Sequence, residues 1–137
     1  MTDHLTSAKR SWNMARITSN DTVPERQVRS TAHRLGFRFR LRCSHLPGKP
    51  DLVFPRHRKA VFVHGCFWHS HRCKRGGRTP KSNGAYWRTK LKRNRERDRR
   101  NTKALQDLGW RVLIVWECEA ASPQFLVRKL TAFFREQ

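Results

Sequence analysis

The sequence predicts an α/β protein in which a mixed central sheet is covered by helices. Three observations predict this class: three short strand-like runs follow one another, a long helical stretch comes next, and the apolar run WRVLIVWE follows that helix. Close turns join antiparallel strands, whereas a helical crossover joins parallel neighbours and is right-handed in nearly all cases. The expected order of elements is therefore αβββαβα.

The first half of the chain is expected to contain one helix and three strands. The helix begins at a capping box, Thr22-x-x-Glu25, with Pro24 in its first turn, and it ends at Gly36. The runs FRFRLR, DLVF and AVFVHG alternate or are rich in β-branched and aromatic residues, and LPGKP separates the first two as a turn. We therefore expect three successive antiparallel strands.

The second half begins with a basic loop, KRGGRTPKSNG, which precedes a long helix over residues 85–108 that ends at Gly109. The run WRVLIVWE has the continuous apolar character of a strand buried on both faces. Ser122 caps a last helix with Pro123 at its first position. We expect the apolar face of this helix to consist of Phe125, Leu126, Leu130 and Phe133.

Length and charge limit the classes of protein to consider. The 137 residues suit one modest core, and we expect a flexible arm over residues 1–20, which contacts DNA, and a single domain over residues 21–137. The 31 lysines and arginines against 10 acidic residues give a net charge of +21, which favours a nucleic-acid partner. No apolar run approaches the roughly 20 residues of a membrane span, and no signal-peptide pattern is present. We expect a cytoplasmic protein without a membrane partner.

The cysteines are expected to be ligands or core residues, because thiols stay reduced in the cytosol. Cys66 lies just past one strand of the crossover and Cys118 just past the other, so both are expected at the same sheet edge. Cys73 can reach them if the loop between folds back. Cys43 lies elsewhere in this topology and is expected to pack.

Three thiolates and one imidazole form a closed tetrahedral zinc site. The spacing Cys66-x4-His71-x-Cys73, together with Cys118, supplies that set for a structural zinc. His69 is an alternative ligand, and the cysteines could instead be buried free thiols that act as small hydrophobic residues.

The dipeptide Pro50-Asp51 stands at the beginning of one predicted strand, and Phe62 and His64 share one side of the next. An acidic residue after proline beside two such positions is the frame of the PD-(D/E)xK nuclease superfamily. Here Phe62-Val63-His64 replaces the usual acid-x-lysine. Taken alone, an aspartate at this position is more often a turn or cap residue than a metal ligand.

The long helix carries two polar residues, Asn94 and Asp98, within a stripe that should face the sheet. Buried polar groups need partners. For Asp98 we expect a structural ion pair with a neighbouring arginine. The full stripe is Trp87, Leu91, Asn94, Asp98, Thr102, Leu105 and Leu108.

Four segments together, LPGKPDLVF, VHGCFWHSHRC, YWRTKLKRNRERDRR and LGWRVLIVWEC, resemble the very-short-patch repair (Vsr-type) endonucleases, which nick DNA beside a T:G mismatch. The resemblance extends from about residue 11 to residue 118 and implies a restriction-endonuclease-like PD-(D/E)xK core. It implies a bacterial, nucleoid-associated protein that hydrolyses the phosphodiester 5′ to the mismatched T of double-stranded DNA, with mismatch-repair proteins as further partners. We expect a monomer, because such a substrate does not need paired cuts.

The resemblance also implies roles for individual residues. Asp51 binds catalytic Mg²⁺ together with the backbone carbonyl of Val63, and His64 and His69 serve through water and proton transfer. His69 is our leading general base, because histidine titrates near neutrality. Hard Mg²⁺ would neutralise charge that grows on the phosphate.

Further roles follow from the same resemblance. Glu25 supports the site from the first helix, although the capping box alone also explains it. Asn94 bonds active-site waters. The zinc ligands fall on the same four residues, namely Cys66, His71, Cys73 and Cys118.

The aromatic residues Phe67, Trp68 and Trp87, with Met14 of the arm, are implied to intercalate beside the mismatch. An aromatic pair held rigidly can enter a base stack, and a mismatched step is cheaper to open than a paired one. The alternative is that these aromatic residues belong to the core.

Two other functions fit the sequence. One is another PD-(D/E)xK nuclease with nicking or restriction activity. The other is a noncatalytic zinc-containing module that binds nucleic acid, which the charge alone would support equally. Loss of Asp51 distinguishes them, because a pure binder should function without it.

Overall fold

A computed structural model describes residues 22–41, 43–69, 71–73 and 82–136. The predicted arm, including Met14, and most of the predicted basic loop lie outside these residues. The elements, in chain order, are α1 Val23–Arg34, β1 Arg40–Leu41, β2 Leu52–Phe54, a 3₁₀ turn Pro55–His57, β3 Lys59–His64, α2 Gly84–Asp107, β4 Arg111–Trp116, α3 Glu117–Ala120 and α4 Pro123–Arg135.

The described strands form one four-stranded mixed sheet in the order β1-β2-β3-β4. The first three strands are antiparallel, and β3 pairs with β4 in parallel from Lys59 opposite Arg111 to His64 opposite Trp116. The predicted mixed sheet with flanking helices is therefore confirmed. The predicted order of elements holds, with the addition of the four-residue helix α3 directly after β4.

The helix ends follow from local chemistry. The Thr22 side chain accepts a hydrogen bond from the backbone N–H of Glu25 (3.3 Å), and Ser122 accepts one from Phe125 (3.3 Å), so two orphan N–H groups are satisfied as predicted. After α1, the chain turns at Gly36 with φ of 88°, a backbone angle that glycine adopts without steric cost.

Alternation along the strands divides the core into two layers. Leu52, Phe54 and Val61 face one side of the sheet and pack with apolar residues of α1 and α4, whereas Val53 and Ala60 face the other side. The second layer also includes Leu46, Phe62 and, from helix α2, Leu105. The sheet therefore lies between α1 and α4 on one face and α2 on the other.

Three expectations about apolar positions were wrong. We expected β4 to be buried on both faces, but only Val115 of that strand is fully buried, because β4 is an edge strand of the described sheet. Phe125 of α4 and Leu108, just past α2, are 38% and 54% exposed because both lie at helix ends.

Strand β1 is also shorter than the predicted run FRFRLR. It pairs through Arg40 and Leu41 alone, opposite the three-residue strand β2. The preceding Phe37 and Phe39 instead pack against the first core layer.

The beginning of β3 is tied to the end of α4 by a buried lysine. Lys59 is 3% exposed, and its ammonium donates hydrogen bonds to the backbone oxygens of Phe133 (2.5 Å) and Glu136 (2.6 Å). A cation suits these carbonyls, because the helix dipole places negative charge at that end.

No helix within the described ranges is long and apolar enough to cross a membrane.

Candidate active site

A cleft of about 1130 Å³ opens at the end of the sheet where β3 and β4 finish. The first turn of α1, the loop before β2 and the middle of α2 form its other walls. Four of the ten acidic residues of this strongly basic chain line the cleft, namely Glu25, Asp51, Asp98 and Glu117. The cleft therefore concentrates carboxylates in a protein that has few of them.

Asp51 stands at the beginning of β2, as predicted, and its side chain reaches the neighbouring strand. Its Oδ2 accepts a hydrogen bond from the backbone N–H of Val63 (2.6 Å). The antiparallel pairing of β2 with β3 brings these two residues together, since Leu52 lies opposite Val61. The structure thus places Asp51 beside the Val63 backbone in the cleft.

His64 and His69 stack face to face, with ring centroids 3.8 Å apart and an interplanar angle of 6°. Nδ1 of His69 lies 2.5 Å from Oδ2 of Asp98 on α2. The partner of Asp98 is therefore a histidine, and our expectation of an arginine was wrong. The helical stripe placed Asp98 on the face toward the sheet but did not indicate that the loop after β3 would fold back onto it.

His64 is kept neutral by its surroundings. Burial lowers its pKa to about 4, the neighbouring His69 and Arg97 add to the shift, and Asp98 opposes it. Its Nδ1 is buried without a hydrogen-bond partner among the residues that the structure describes. A neutral ring adds no charge to the stack with His69.

Two further carboxylates line the cleft from opposite walls. Glu25 is 7% exposed and lines the cleft, and its backbone N–H donates a hydrogen bond to the Thr22 side chain. Glu117 follows β4 directly and accepts a hydrogen bond from the backbone N–H of Cys66 (3.3 Å). We did not single out Glu117, although the crossover that brings Cys118 to this edge carries its neighbour too.

Asn94 is not among the residues that line the cleft. It lies one helical turn before Asp98 on α2, and its Nδ2 donates a hydrogen bond to the backbone oxygen of Trp68 (3.0 Å). In this geometry, Asn94 holds the loop after β3. Its contact with active-site waters stays a prediction.

The four predicted zinc ligands do come together. Cys66, His71, Cys73 and Cys118 each offer a ligand atom, and all of these atoms lie within 4.8 Å of one another. Sγ of Cys118 is 3.5 Å from Nδ1 of His71, whose ring stacks on Trp116. Cys43 packs against the second core layer instead, as expected.

Burial raises the pKa of the Cys66 thiol to about 12 and also raises the pKa of the Cys118 thiol. The sulfurs of the cluster lie close together, so ionising one disfavours ionising the next. Three sulfurs and one imidazole are the donors that tetrahedral Zn²⁺ prefers, and such a cation would reverse these shifts. The cluster fits a metal of that kind.

An aromatic cluster borders the cleft outside both core layers. Phe67, Trp68 and Trp87 contact one another with ring centroids 5.2 to 5.7 Å apart, and Trp68 is 46% exposed. The ammonium of Lys90 lies within 6 Å of the Trp68, Tyr86 and Trp87 rings. The structure thus places aromatic rings and a positive charge together beside the cleft that holds the histidine pair.

The mixed α/β fold, the cleft with its carboxylates and stacked histidines, and the net charge of +21 together fit an endonuclease that acts on DNA. Comparison with known families agrees. Residues 2–75 match the family described as DNA mismatch endonuclease Vsr, and the chain belongs to that family.

Relatives from several bacteria cover most of this chain. The Type II nicking enzyme V.XorIIP of Xanthomonas oryzae pv. oryzae is 51% identical over 119 residues, which are 87% of each chain. V.NmeAIP of Neisseria meningitidis, also a Type II nicking enzyme, is 41% identical over 136 residues, 99% of this chain and 96% of the relative. DNA mismatch endonuclease Vsr of Escherichia coli is 45% identical over 118 residues, 86% of this chain and 75% of the relative.

The predicted resemblance is confirmed by this family membership. The family and its relatives together support a DNA mismatch nicking endonuclease, a hydrolase.

The low pKa of His64 predicts acid sensitivity. The unfolded chain takes up a proton on this residue near pH 6.5, whereas the folded chain does so only near pH 4, so lowering the pH through that window favours unfolding. We expect on the order of 1 to 3 kcal/mol of stability to be lost from this source, and His64→Gln should remove that part of the loss. Urea unfolding in magnesium-free buffer from pH 7 to pH 4 measures it.

The matched control is His33→Gln, which removes an exposed histidine on α1. If wild type and His64→Gln lose stability in parallel as the pH falls, the burial of a neutral His64 is contradicted.

Proposed function

We propose that the protein nicks double-stranded DNA at a T:G mismatch and hydrolyses the phosphodiester 5′ to the mismatched T, with Mg²⁺ bound in the cleft. One observation carries the proposal: Asp51 and the Val63 backbone meet in the same cleft as the His64, His69 and Asp98 group. The names of the relatives, a mismatch endonuclease and nicking enzymes, support it.

The cleft suits Mg²⁺ by its donor chemistry. Mg²⁺ prefers carboxylate and carbonyl oxygens and usually keeps several waters. Asp51 supplies a carboxylate and Val63 a backbone carbonyl, and Glu25 and Glu117 lie in the same cleft. When bound, the ion would neutralise charge that develops on the phosphate.

The histidine pair suits proton transfer. The Asp98 carboxylate engages Nδ1 of His69, which leaves Nε2 to accept a proton from the attacking water. The same carboxylate would stabilise the imidazolium that forms. His64 stays neutral near pH 7, so the stacked ring does not oppose that positive charge.

The cysteine and histidine cluster is proposed to hold a structural Zn²⁺. It joins the loop after β3 to the end of β4, because Cys66, His71 and Cys73 come from the loop and Cys118 from the start of α3. A closed set of four protein ligands leaves no position for a substrate, so its contribution would be to folding.

The aromatic cluster is proposed to enter the base stack at the mismatch. Phe67 and Trp68 lie directly before His69 in sequence, so insertion there would bring the adjacent phosphodiester to the histidine pair. Lys90 beside Trp68 adds a charge that attracts the DNA backbone.

Strand cleavage of matched, T:G and other mismatched duplexes, with and without Mg²⁺, tests the proposal. We expect a single cut 5′ to the mismatched T in the T:G duplex and only with the metal. Equal cutting of all duplexes would indicate a general nuclease, and binding without cutting would indicate a noncatalytic module.

Asp51→Asn should abolish nicking and leave folding and mismatch binding largely intact. The amide can still accept the hydrogen bond from the Val63 N–H, but Mg²⁺ loses its anionic ligand. Single-turnover cleavage of a T:G duplex is the measurement. Asp107→Asn is the control, since Asp107 is an exposed carboxylate on the same protein, and near wild-type cleavage by Asp51→Asn would reject the assignment.

Cys66→Ser and Cys118→Ser should each lower the melting temperature and drop the zinc content well below one ion per chain. A structural metal site contributes directly to folding free energy, so loss of one ligand weakens both. Elemental analysis and thermal unfolding measure the two effects. Cys43→Ser changes a cysteine outside the cluster and should keep its zinc. If purified wild-type protein contains no zinc by elemental analysis, the cluster is ordinary core.

Replacing both Phe67 and Trp68 by alanine should lower the preference for T:G over matched duplex. Each stacking contact is worth about 1 to 3 kcal/mol, whereas attraction to phosphates is the same for both duplexes. The measurement is the ratio of the two affinities at one fixed salt concentration. Phe125→Ala is the control, because it removes a partly exposed ring elsewhere and should leave the ratio unchanged. If the folded double variant also keeps the wild-type ratio, insertion of Phe67 and Trp68 into the base stack is excluded.

A further inference from the structure

Three non-glycine residues among those described have a positive φ: Lys49 (49°), Arg58 (51°) and Asn83 (55°). Asparagine tolerates this region. Arg58 has a structural reason for it, because its Nη2 donates a hydrogen bond to the backbone oxygen of Leu108 (2.8 Å) and its guanidinium lies 5.0 Å from the Trp110 ring centroid. Lys49 makes no side-chain hydrogen bond or ion pair with any residue in the described ranges.

The backbone of Lys49 is held in this conformation from both sides. Leu46 and Pro50 are buried, and the Lys49 N–H donates a hydrogen bond to the Leu46 oxygen (3.1 Å). Gly48 packs so closely on α2 that an added Cβ would lie 2.9 Å from Cβ of Asn101. A residue before proline also prefers extended backbone, so Lys49 departs from two preferences at once.

Strained residues of this kind persist where the surrounding structure enforces them, and they gather at functional sites. Glycine would adopt the same φ without steric cost. The chain instead places a long cationic side chain there, exposed and lining the cleft, two residues before Asp51. The side chain, rather than the turn, requires an explanation.

The charges of the cleft offer an explanation for the lysine side chain at this position. Among the described residues that line the cleft, Lys49 is the one lysine and Arg97 is the one arginine, whereas four residues carry carboxylates. A cation fixed in the lining of such a cleft would attract a DNA phosphate that the carboxylates repel, in addition to any bound metal.

We propose that Lys49 is a substrate-binding residue whose ammonium contacts a non-bridging oxygen of one backbone phosphate of the nicked strand. The proposal rests on the proposed nicking function, and it adds a residue that positions the strand in the cleft that also holds the histidine pair. A charged donor and a phosphate oxygen make the stronger kind of hydrogen bond.

The first test compares Lys49→Gly, Lys49→Arg and wild type. Lys49→Gly relieves the backbone and removes the cation, so its melting temperature should equal or exceed that of wild type. Its kcat/KM for a T:G duplex should fall roughly 10- to 100-fold, as expected for loss of a charged hydrogen bond. The slope of log affinity against log salt should shrink by about 0.9, the value for one phosphate contact. Lys49→Arg should keep both properties near wild type.

Arg58→Gly is the matched control, because it relieves a similar positive φ outside the lining of the cleft. It should lose stability with its contacts to Leu108 and Trp110 and should nick as wild type does.

The second test locates the phosphate. Single methylphosphonates are placed in turn along the nicked strand, and each neutralises one phosphate. One position should weaken wild-type binding yet leave Lys49→Gly unaffected. If both proteins respond alike at every position, or if Lys49→Gly keeps the wild-type salt slope, the proposal is overturned.

These binding measurements separate the two proposals. A wild-type protein that binds the duplex but never nicks it would reject the proposed function. The salt slope and the methylphosphonate scan would still decide whether Lys49 contacts a phosphate.

Discussion

The parallel pairing of β3 with β4 is the constraint on which the rest of the site depends. It aligns six residue pairs and ends with His64 opposite Trp116. His64, which lines the cleft, is therefore the last residue of β3 and lies beside Trp116, the last residue of β4. Glu117 and Cys118 follow Trp116 immediately. A shift of one residue would exchange the faces of Phe62 and His64 with those of Val61 and Val63. The buried apolar residues of both layers hold the register against such a shift.

Helix α2 converts this strand edge into a working cleft through two residues one turn apart. Asn94 holds the backbone oxygen of Trp68, and Asp98 holds the ring of His69. The two adjacent loop residues are thus fixed from the same helix face. Under the proposed function, the aromatic ring would contact a base and the imidazole would contact water. The two groups would then need a constant separation, which a rigid helix supplies better than a loop can.

Sequence reasoning predicted the elements that depend on local chemistry and periodicity. The caps at Thr22 and Ser122 and the meeting of Cys66 with Cys118 follow from nearest neighbours and from the crossover rule. The exposure of β4 could not be predicted in this way, because it depends on β4 being the edge strand of the described sheet. The pairing of Asp98 with His69 could not either, because it depends on how the loop after β3 folds back onto α2. The individual roles of the site residues, and Met14 outside the described residues, remain predictions.

The loop after β3 links the Cys66, His71, Cys73 and Cys118 cluster to the histidine pair of the cleft. His69 donates its backbone N–H to the Gly65 oxygen (3.2 Å), and His71 donates its own to the Cys66 oxygen (2.9 Å), so the loop is a tight turn. Cys66 begins this turn and His71 follows it, and Phe67, Trp68 and His69 lie between them. A metal bound by the cluster would therefore fix both ends of the segment that carries the aromatic pair and the proposed base. Such an ion would influence the proposed chemistry only by positioning this segment, because four protein ligands would leave no coordination position for a substrate.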